Sequence, residues 1–484
     1  MNLKAISTYV GKVLLINALF MFIALMVSVG YGVDDGFAPL LISMAITTLT
    51  GVFPLIFVRG RFTLSINESF LTIVLSWLFS FVFGSLPYIM YGGEFTVINS
   101  WFESVSGYTT TGSTILTDIE ALPASILFWR SSTHYIGGLG VIVFLLIVMP
   151  DASPLKHRLT SLEISSLSRA GYRYKSGRTA RIMLMVYLIM TFLETLLLWA
   201  AGMSLFDAVN HSFSTIATGG FSTHSASLMY YDSALIDVII ILFMVLSSMH
   251  FGVLFMIFAK RSFAPLKSAV PRYYMTVIAV LSIAVTLVLM FQGGYKSFGK
   301  AALDGTFQVV SYLSTTGFGN ADNASWPVLA NFILLFAAFH CGCSGSTTGG
   351  IKADRAYLSL RSIRNEFARR LHPTSVYKMK VDGNPVKDDD VSAVLLYIVT
   401  YVIVILISFC LVLACGVDIG TAFSATLSSI GNTGPGIGEV GTMGTFHFQP
   451  SLAKFVYTVD MFLGRLEIFP VLIVISLFFR RYRK

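Results

Sequence analysis

The heptapeptide STTGFGN, residues 314–320, lies between two long apolar runs, near 273–292 and 326–362. Hydroxyl side chains, two glycines and a phenylalanine therefore stand where lipid-soluble residues are expected. Of the 484 residues, 55% are hydrophobic and 12% charged, and the mean hydropathy is +0.76. Soluble domains carry roughly twice that charged share. The composition reads as an all-α polytopic membrane protein and excludes a soluble enzyme core.

About 20 apolar residues cross a bilayer as a helix. Ten spans are predicted, near 8–30, 37–58, 66–91, 122–149, 180–202, 233–259, 273–292, 326–362, 391–416 and 450–480. The N-terminal run LLINALFMFIALMVSVGYGV is too long for a signal core and lacks a small-residue cleavage site, so it is read as a retained span. Cys341, Cys343, Cys410 and Cys415 all lie in or beside spans, which shows no disulfide framework.

The heptapeptide has three relatives within the chain. TTGST (110–114), ATGGF (217–221), TTGFG (315–319) and NTGPG (432–436) align on a Thr-Gly pair that places Gly112, Gly219, Gly317 and Gly434 in register, at intervals of 107, 98 and 117 residues. Each copy follows a long apolar span and a short amphipathic stretch, and precedes another long span. The short stretches, 97–109, 205–216, 300–314 and 418–431, cannot cross a bilayer and read as re-entrant half-helices. Residues 1–62 then supply two extra spans. Four repeats follow at 63–150, 151–262, 263–375 and 376–484.

Re-entrant backbone survives at membrane depth only when buried in protein or lining an aqueous path. Four such loops around one axis would line a central pore. Glycine permits the angles that turn carbonyls inward, threonine adds hydroxyl oxygens, and half-helix C-termini contribute partial negative charge. The third copy differs from the potassium-filter signature TVGYG by two substitutions. A K⁺ filter is accordingly expected at Thr110, Thr111, Gly112 and Ser113; at Ala217, Thr218, Gly219 and Gly220; at Thr315, Thr316, Gly317 and Phe318; and at Asn432, Thr433, Gly434 and Pro435. Gly-mediated helix packing is the bland alternative, but it does not place one motif four times in one context.

The net charge of +8 follows the same plan. If the ten spans alternate, roughly 28 of the 33 Lys and Arg fall on one side, which is then cytoplasmic and holds both termini. They cluster at Lys156–Arg178, Lys260–Arg272, Arg355–Lys387 and the terminal RRYRK. A nucleic-acid reading would need a soluble basic module, and there is none.

These residues resemble the Trk/Ktr/HKT superfamily of potassium transporters over about 65–484. The extra N-terminal spans resemble its TrkH/TrkG branch, as do FWRSSTHYIGGLGVIVF (128–144), GCSGSTTGGIK (342–352) and MFLGRLEIFPVL (461–472). The resemblance implies a homodimeric K⁺-translocating subunit of the bacterial inner membrane. It implies a cytosolic TrkA-type regulatory ring that carries the nucleotide, while this chain binds no cofactor of its own and moves K⁺ as its cargo.

Two features lie below the loops. GCSGSTTGG (342–350) breaks a helix with small residues and reads as an intramembrane loop. The resemblance gives it a gating role through Gly345, Ser346, Thr347, Thr348, Gly349 and Gly350, with Lys352 at its end. Arg465, deep in an apolar span, needs a partner other than Glu467, which is two residues away and on another helix face. The resemblance makes Arg465 a barrier in the pore; a structural ion pair is the alternative. For Arg130 the structural role is preferred.

Other chemistry is set aside. His340, Cys341 and Cys343 do not share a helix face as zinc ligands would. Glu103 and Asp207 are expected near half-helix starts, where acids favour the N-terminus, and Asp460 is a candidate partner for Arg465. Glu103, Glu194 and Asp207 are the candidate coupling acids, and no acid stands out as a coupling site. The leading reading is channel-like K⁺ uptake, with a K⁺ symporter coupled to H⁺ or Na⁺ as the alternative. A membrane enzyme using the polar loops as a headgroup site is a third reading, without a catalytic constellation to carry it.

Overall fold

Apolar backbone in lipid must satisfy its own N–H and C=O groups, so uninterrupted apolar runs become single helices. The computed structural model describes residues 2–58, 60, 64–148, 176–372, 374 and 379–481. The sequence boundaries at 62/63, 150/151 and 375/376 lie outside the described residues, as do Lys156, Arg158, Arg169, Arg173, Lys175 and the last three residues of the chain. Long single helices form at α1 (Leu3–Gly30), α2 (Phe37–Phe57), α3 (Ile66–Tyr91), α5 (Ala124–Val148), α6 (Ser176–Ala200), α10 (Ala269–Phe291) and α14 (Asp388–Ala414). Of these, α1, α2, α3, α6, α10 and α14 contain stretches long and apolar enough to cross a membrane.

Three predicted spans are not continuous. The span at 233–259 bends by 110° between α8 (Ala234–Ser247) and α9 (Phe251–Lys260). The span at 326–362 is α12 (Val328–Phe339), a loop from 340 to 352, and α13 (Ala353–Leu371). Arg355, Arg361, Arg364, Arg369 and Arg370 make α13 an amphipathic helix unsuited to lipid, so the predicted span ends at α12. The span at 450–480 stops at Arg465, ending α16 (Ser451–Arg465), and resumes as α17 (Phe469–Arg481). Glu467 and Ile468 between them hold φ of 58° and 57°, a left-handed geometry that no helix continues through.

The four short amphipathic stretches are α4 (Val97–Tyr108), α7 (Leu205–Ala217), α11 (Phe298–Leu313) and α15 (Ile419–Gly431). Their starts are written in the sequence: Thr96, Ser204 and Asp418 each accept a backbone N–H of the first turn. Ser297 occupies the corresponding place before α11 without that bond. A two-stranded hairpin, β1 (Lys380–Val381) and β2 (Asn384–Pro385), turns through Asp382 and Gly383, both with positive φ.

Two glycines let α1 and α2 touch along their backbones. A Cβ on Gly11 would lie 2.6 Å from Gly51 O, and one on Gly51 would lie 3.0 Å from Gly11 O. Gly11→Leu is expected to force the pair apart at a cost of about 1–3 kcal/mol, read as a lowered melting temperature in detergent. An unchanged transition would show that this crossing contributes little to the fold.

Candidate functional site

The four half-helices end in one geometry. Thr110 N–H donates to Gly107 O at 3.0 Å and Thr111 N–H to Ser106 O at 2.9 Å. The same two bonds recur from Thr218 and Gly219 (3.0 and 2.8 Å), from Thr315 and Thr316 (3.1 and 3.0 Å), and from Asn432 and Thr433 (3.2 and 2.9 Å). This is the Schellman closure, with the cap residue in left-handed backbone. Thr110, Thr218, Thr315 and Asn432 accordingly hold φ of 54°, 56°, 54° and 54°.

These bonds correct the sequence register of the second copy by one residue. The glycine equivalent to Gly112, Gly317 and Gly434 is Gly220, not Gly219: all four hold φ between 80° and 99°. Gly219 instead occupies the place of Thr111, Thr316 and Thr433. Ala217, expected among the filter residues, ends α7 before the left-handed turn. The Thr-Gly pair misleads because Thr218 fills the cap position, where Thr110 and Thr315 are each followed by a second threonine.

The corrected register closes a ring. A Cβ on Gly112 would fall 2.0 Å from Gly219 O, one on Gly220 would fall 2.0 Å from Thr316 O, one on Gly317 would fall 2.2 Å from Thr433 O, and one on Gly434 would fall 2.5 Å from Thr111 O. Each loop's glycine thus abuts the carbonyl of the residue before the corresponding glycine in the next loop, in cyclic order. A side chain at any of the four would displace its neighbour's backbone. All four glycines line one cavity of about 60 Å³, together with Ser113, Phe221 and Pro435. Ser113 Oγ donates to Gly434 O at 2.9 Å and Asn432 Nδ2 to Thr111 Oγ1 at 3.0 Å, joining the first and fourth loops directly.

Behind the ring, each half-helix uses a polar side chain to hold its outgoing strand. Glu103 accepts Ile115 N–H at 3.1 Å, His211 Nε2 lies 2.9 Å from Ser222 Oγ, Gln308 donates to Ala321 O at 3.1 Å, and Ser424 accepts Ile437 N–H at 3.0 Å. Asp207 lies in the first turn of α7 as expected for an N-terminal acid. Glu103 does not serve as one, because it sits mid-helix and receives Arg130 Nε at 2.8 Å. Arg130 also donates to Ser222 O at 3.3 Å and to Thr114 Oγ1 at 3.2 Å, so this buried pair braces the first loop against the second. At the outer edge Ser225 N–H and Oγ bind Glu120 at 3.0 and 2.5 Å. Burial pushes the Glu120 carboxyl up, yet these bonds outweigh it and hold it below its ordinary value.

On the side of the ring opposite the cavity lies the loop from 340 to 352. Its neck is closed by Cys341 N–H to Ile351 O and Ala353 N–H to Gly342 O, both at 2.9 Å. Thr347 Oγ1 donates to Ile216 O at 3.2 Å and Gly349 N–H to Thr315 Oγ1 at 3.3 Å. A Cβ on Gly349 would meet Asn432 Oδ1 and Gly431 O at 2.6 Å. The loop therefore reaches the second, third and fourth copies. Ser346 and Thr348 pair through their hydroxyls at 2.7 Å, while Gly345 and Gly350, both with positive φ, pack on the His250 ring and Cys341 Sγ.

Arg465 completes the contact. Its guanidinium donates to Thr347 O at 2.5 Å and to Gly137 O of α5 at 2.8 Å, tying the loop to the first copy. Those carbonyls answer the need for a partner. Asp460, weighed as that partner, instead accepts from Ser408 Oγ at 2.6 Å.

The TrkH family model, described as a cation transport protein, matches residues 40–480. The chain belongs to the TrkH family. It is 35% identical over 421 residues to the Trk system potassium uptake protein TrkH of Salmonella typhimurium, covering 86% of this chain and 87% of that one. Its identity to the Trk system potassium uptake protein TrkH of Halomonas elongata is 34% over 482 residues, 98% and 99% of the two chains. It also matches the crystal structure of the potassium transporter TrkH from Vibrio parahaemolyticus with a TM-score of 0.89, 33% identity and 98% coverage of both chains. With its apolar helices, the family makes this a multi-pass membrane protein.

Several residues of this TrkH-family site escape a reading by motif. Glu467 takes Lys352 Nζ at 2.9 Å and also pairs with Arg355, so the loop's end is fastened to the break after Arg465. The bend at 248–250 receives the loop's other flank, through Cys343 N–H to Ser248 O (2.9 Å) and Phe251 N–H to Gly345 O (3.2 Å). Polar residues in SSMH (247–250) were the available signal. His340 and Cys341, considered as zinc ligands, bond Tyr273 Oη at 2.9 Å and Ala338 O at 3.3 Å.

Glu103→Gln leaves Arg130 buried without its counter-charge and is expected to cost about 3–5 kcal/mol. Combining it with Arg130→Met should recover much of that loss in a thermal melt. Equal damage in single and double variants would count against the ion pair as the brace.

Proposed function

We propose that this protein carries K⁺ into the cell through the ring of four loops. The observation that carries the reading is the cyclic contact of each loop glycine with the next loop's carbonyl, at 2.0 to 2.5 Å from the position a Cβ would take. Such a ring presents backbone oxygens of several chain segments within one small space, where they can stand in for the hydration shell of a cation. In the corrected register the ion-facing triplets are Thr110–Gly112, Thr218–Gly220, Thr315–Gly317 and Asn432–Gly434. Potassium is the cargo named for the relatives on which the family assignment rests.

The loop at 340–352 and Arg465 form the gate below. Arg465 places a fixed positive charge on the inward path and locks the loop to α5, so an ion passes when that lock parts. An inside-negative potential of 100 mV supplies about 2.3 kcal/mol per K⁺, enough to drive uptake without fuel. The protein works as a homodimer in the bacterial inner membrane with both termini in the cytoplasm. Its basic cytoplasmic face, including α13, docks a cytosolic ring that binds the regulatory nucleotide.

Liposomes holding the purified chain test this reading. Gly220→Ala should reduce the K⁺ to Na⁺ flux ratio by on the order of tenfold, through displacement of Thr316 O. Arg465→Ala should raise total flux on the order of tenfold, as expected when one unit charge leaves a partly buried path. Unaltered ratio and flux in both would remove the pore reading. A reversal potential that tracks H⁺ or Na⁺ would replace it with coupled symport.

A further inference from the structure

The second loop is the odd member of the ring, and its oddity has a structural counterpart. In the first and third loops a hydroxyl pair stiffens the turn: Thr109 with Thr111 at 2.8 Å and Ser314 with Thr316 at 2.7 Å. The second loop, with Ala217 and Gly219 at these two places, and the fourth, with Gly431 before Thr433, can form no such pair; the second alone lacks a side chain at the residue before its glycine. The space that a side chain on Gly219 would occupy holds the imidazole of His134 from α5. A Cβ there would lie 2.3 Å from Nδ1, 2.4 Å from Cγ and 2.7 Å from Cε1.

The ring is also bonded to the loop. Nδ1 accepts Phe221 N–H at 3.4 Å and lies 3.2 Å from Ser214 Oγ on the half-helix. The imidazole stacks on Phe221 with centroids 4.0 Å apart and planes 18° from parallel. Arg130 caps the Phe221 ring, its guanidinium 4.2 Å from the centroid. His134 is fully buried. One helix thus supplies from behind the support that two loops make from their own hydroxyls.

We propose that His134 is the positioning residue of the second loop, filling the place of the missing threonine side chain and thereby setting that loop's share of ion selectivity. The proposal rests on the reading of the ring as a K⁺ filter. His134 touches no ion; it acts through Gly219 and Phe221.

The test is a compensation experiment on the full chain in liposomes, reading K⁺ and Na⁺ flux alongside the melting temperature. Gly219→Thr should lower the K⁺ to Na⁺ ratio about tenfold, because the new side chain meets the imidazole. His134→Ala should lower it as well, by removing the support. The double variant His134→Ala/Gly219→Thr rebuilds a Thr-Thr-Gly loop with room behind it and should return the ratio to within about threefold of the native value. Should either single variant fail to fold, a folded and selective double variant still supports the proposal. A double variant no more selective than the worse single one overturns it. So does a His134→Ala protein that melts lower but keeps the native ratio, since that marks a role in stability alone. Absence of K⁺ preference in the native protein would instead fail the filter reading itself.

Discussion

A peptide group in hydrocarbon has no water to bind, and that constraint organises this molecule. Long runs meet it as helices. The four re-entrant loops cannot, so each half-helix closes with a Schellman turn and its loop is pressed against the next, glycine to carbonyl. The ring is therefore held as a unit: a loop pulled out alone would lose the neighbour on which its backbone packs. Everything behind it, from Glu103 and Arg130 to His211, Gln308 and Ser424, serves to keep the outgoing strands in place.

Buried charge is handled in two ways. Arg130 has a carboxylate, Glu103, and also donates to Thr114 and Ser222. Among the described residues, Arg465 donates to two carbonyls, its guanidinium lies 6.0 Å from the centre of the Trp77 ring, and its Nε has no hydrogen-bond partner. Its positive charge is therefore met by dipoles rather than by a counter-ion. Glu467, near in sequence, serves Lys352 and Arg355 instead. Two broken helices from different parts of the chain are thereby joined at one carboxylate.

The half-helices were legible to within about two residues because their starts are capped by Thr96, Ser204 and Asp418 and their ends run into Gly-rich loops. The loop at 340–352 was legible for a similar reason: four glycines and four hydroxyl residues in nine positions leave no helix. The breaks at 248–250 and 466–468 were not, since an apolar run averages over one or two polar residues, and Glu467 finds its partners more than a hundred residues away. The register of the second loop was hidden too. It depends on which residue takes the left-handed angle, and the reason for a glycine at 219 is a histidine on another helix.

The ring closes backbone to backbone, while the side chains beside its glycines differ from loop to loop. TTGS, TGGF, TTGF and NTGP occupy equivalent positions without disturbing the closure. A ring assembled from four identical subunits has no such variety, for every mutation there is made four times over. In a single chain each quadrant can drift alone: one can take its support from a histidine, another from a hydroxyl pair, while a third accepts a proline after its glycine. Near-fourfold shape with onefold sequence lets one wall of the ring change at a time.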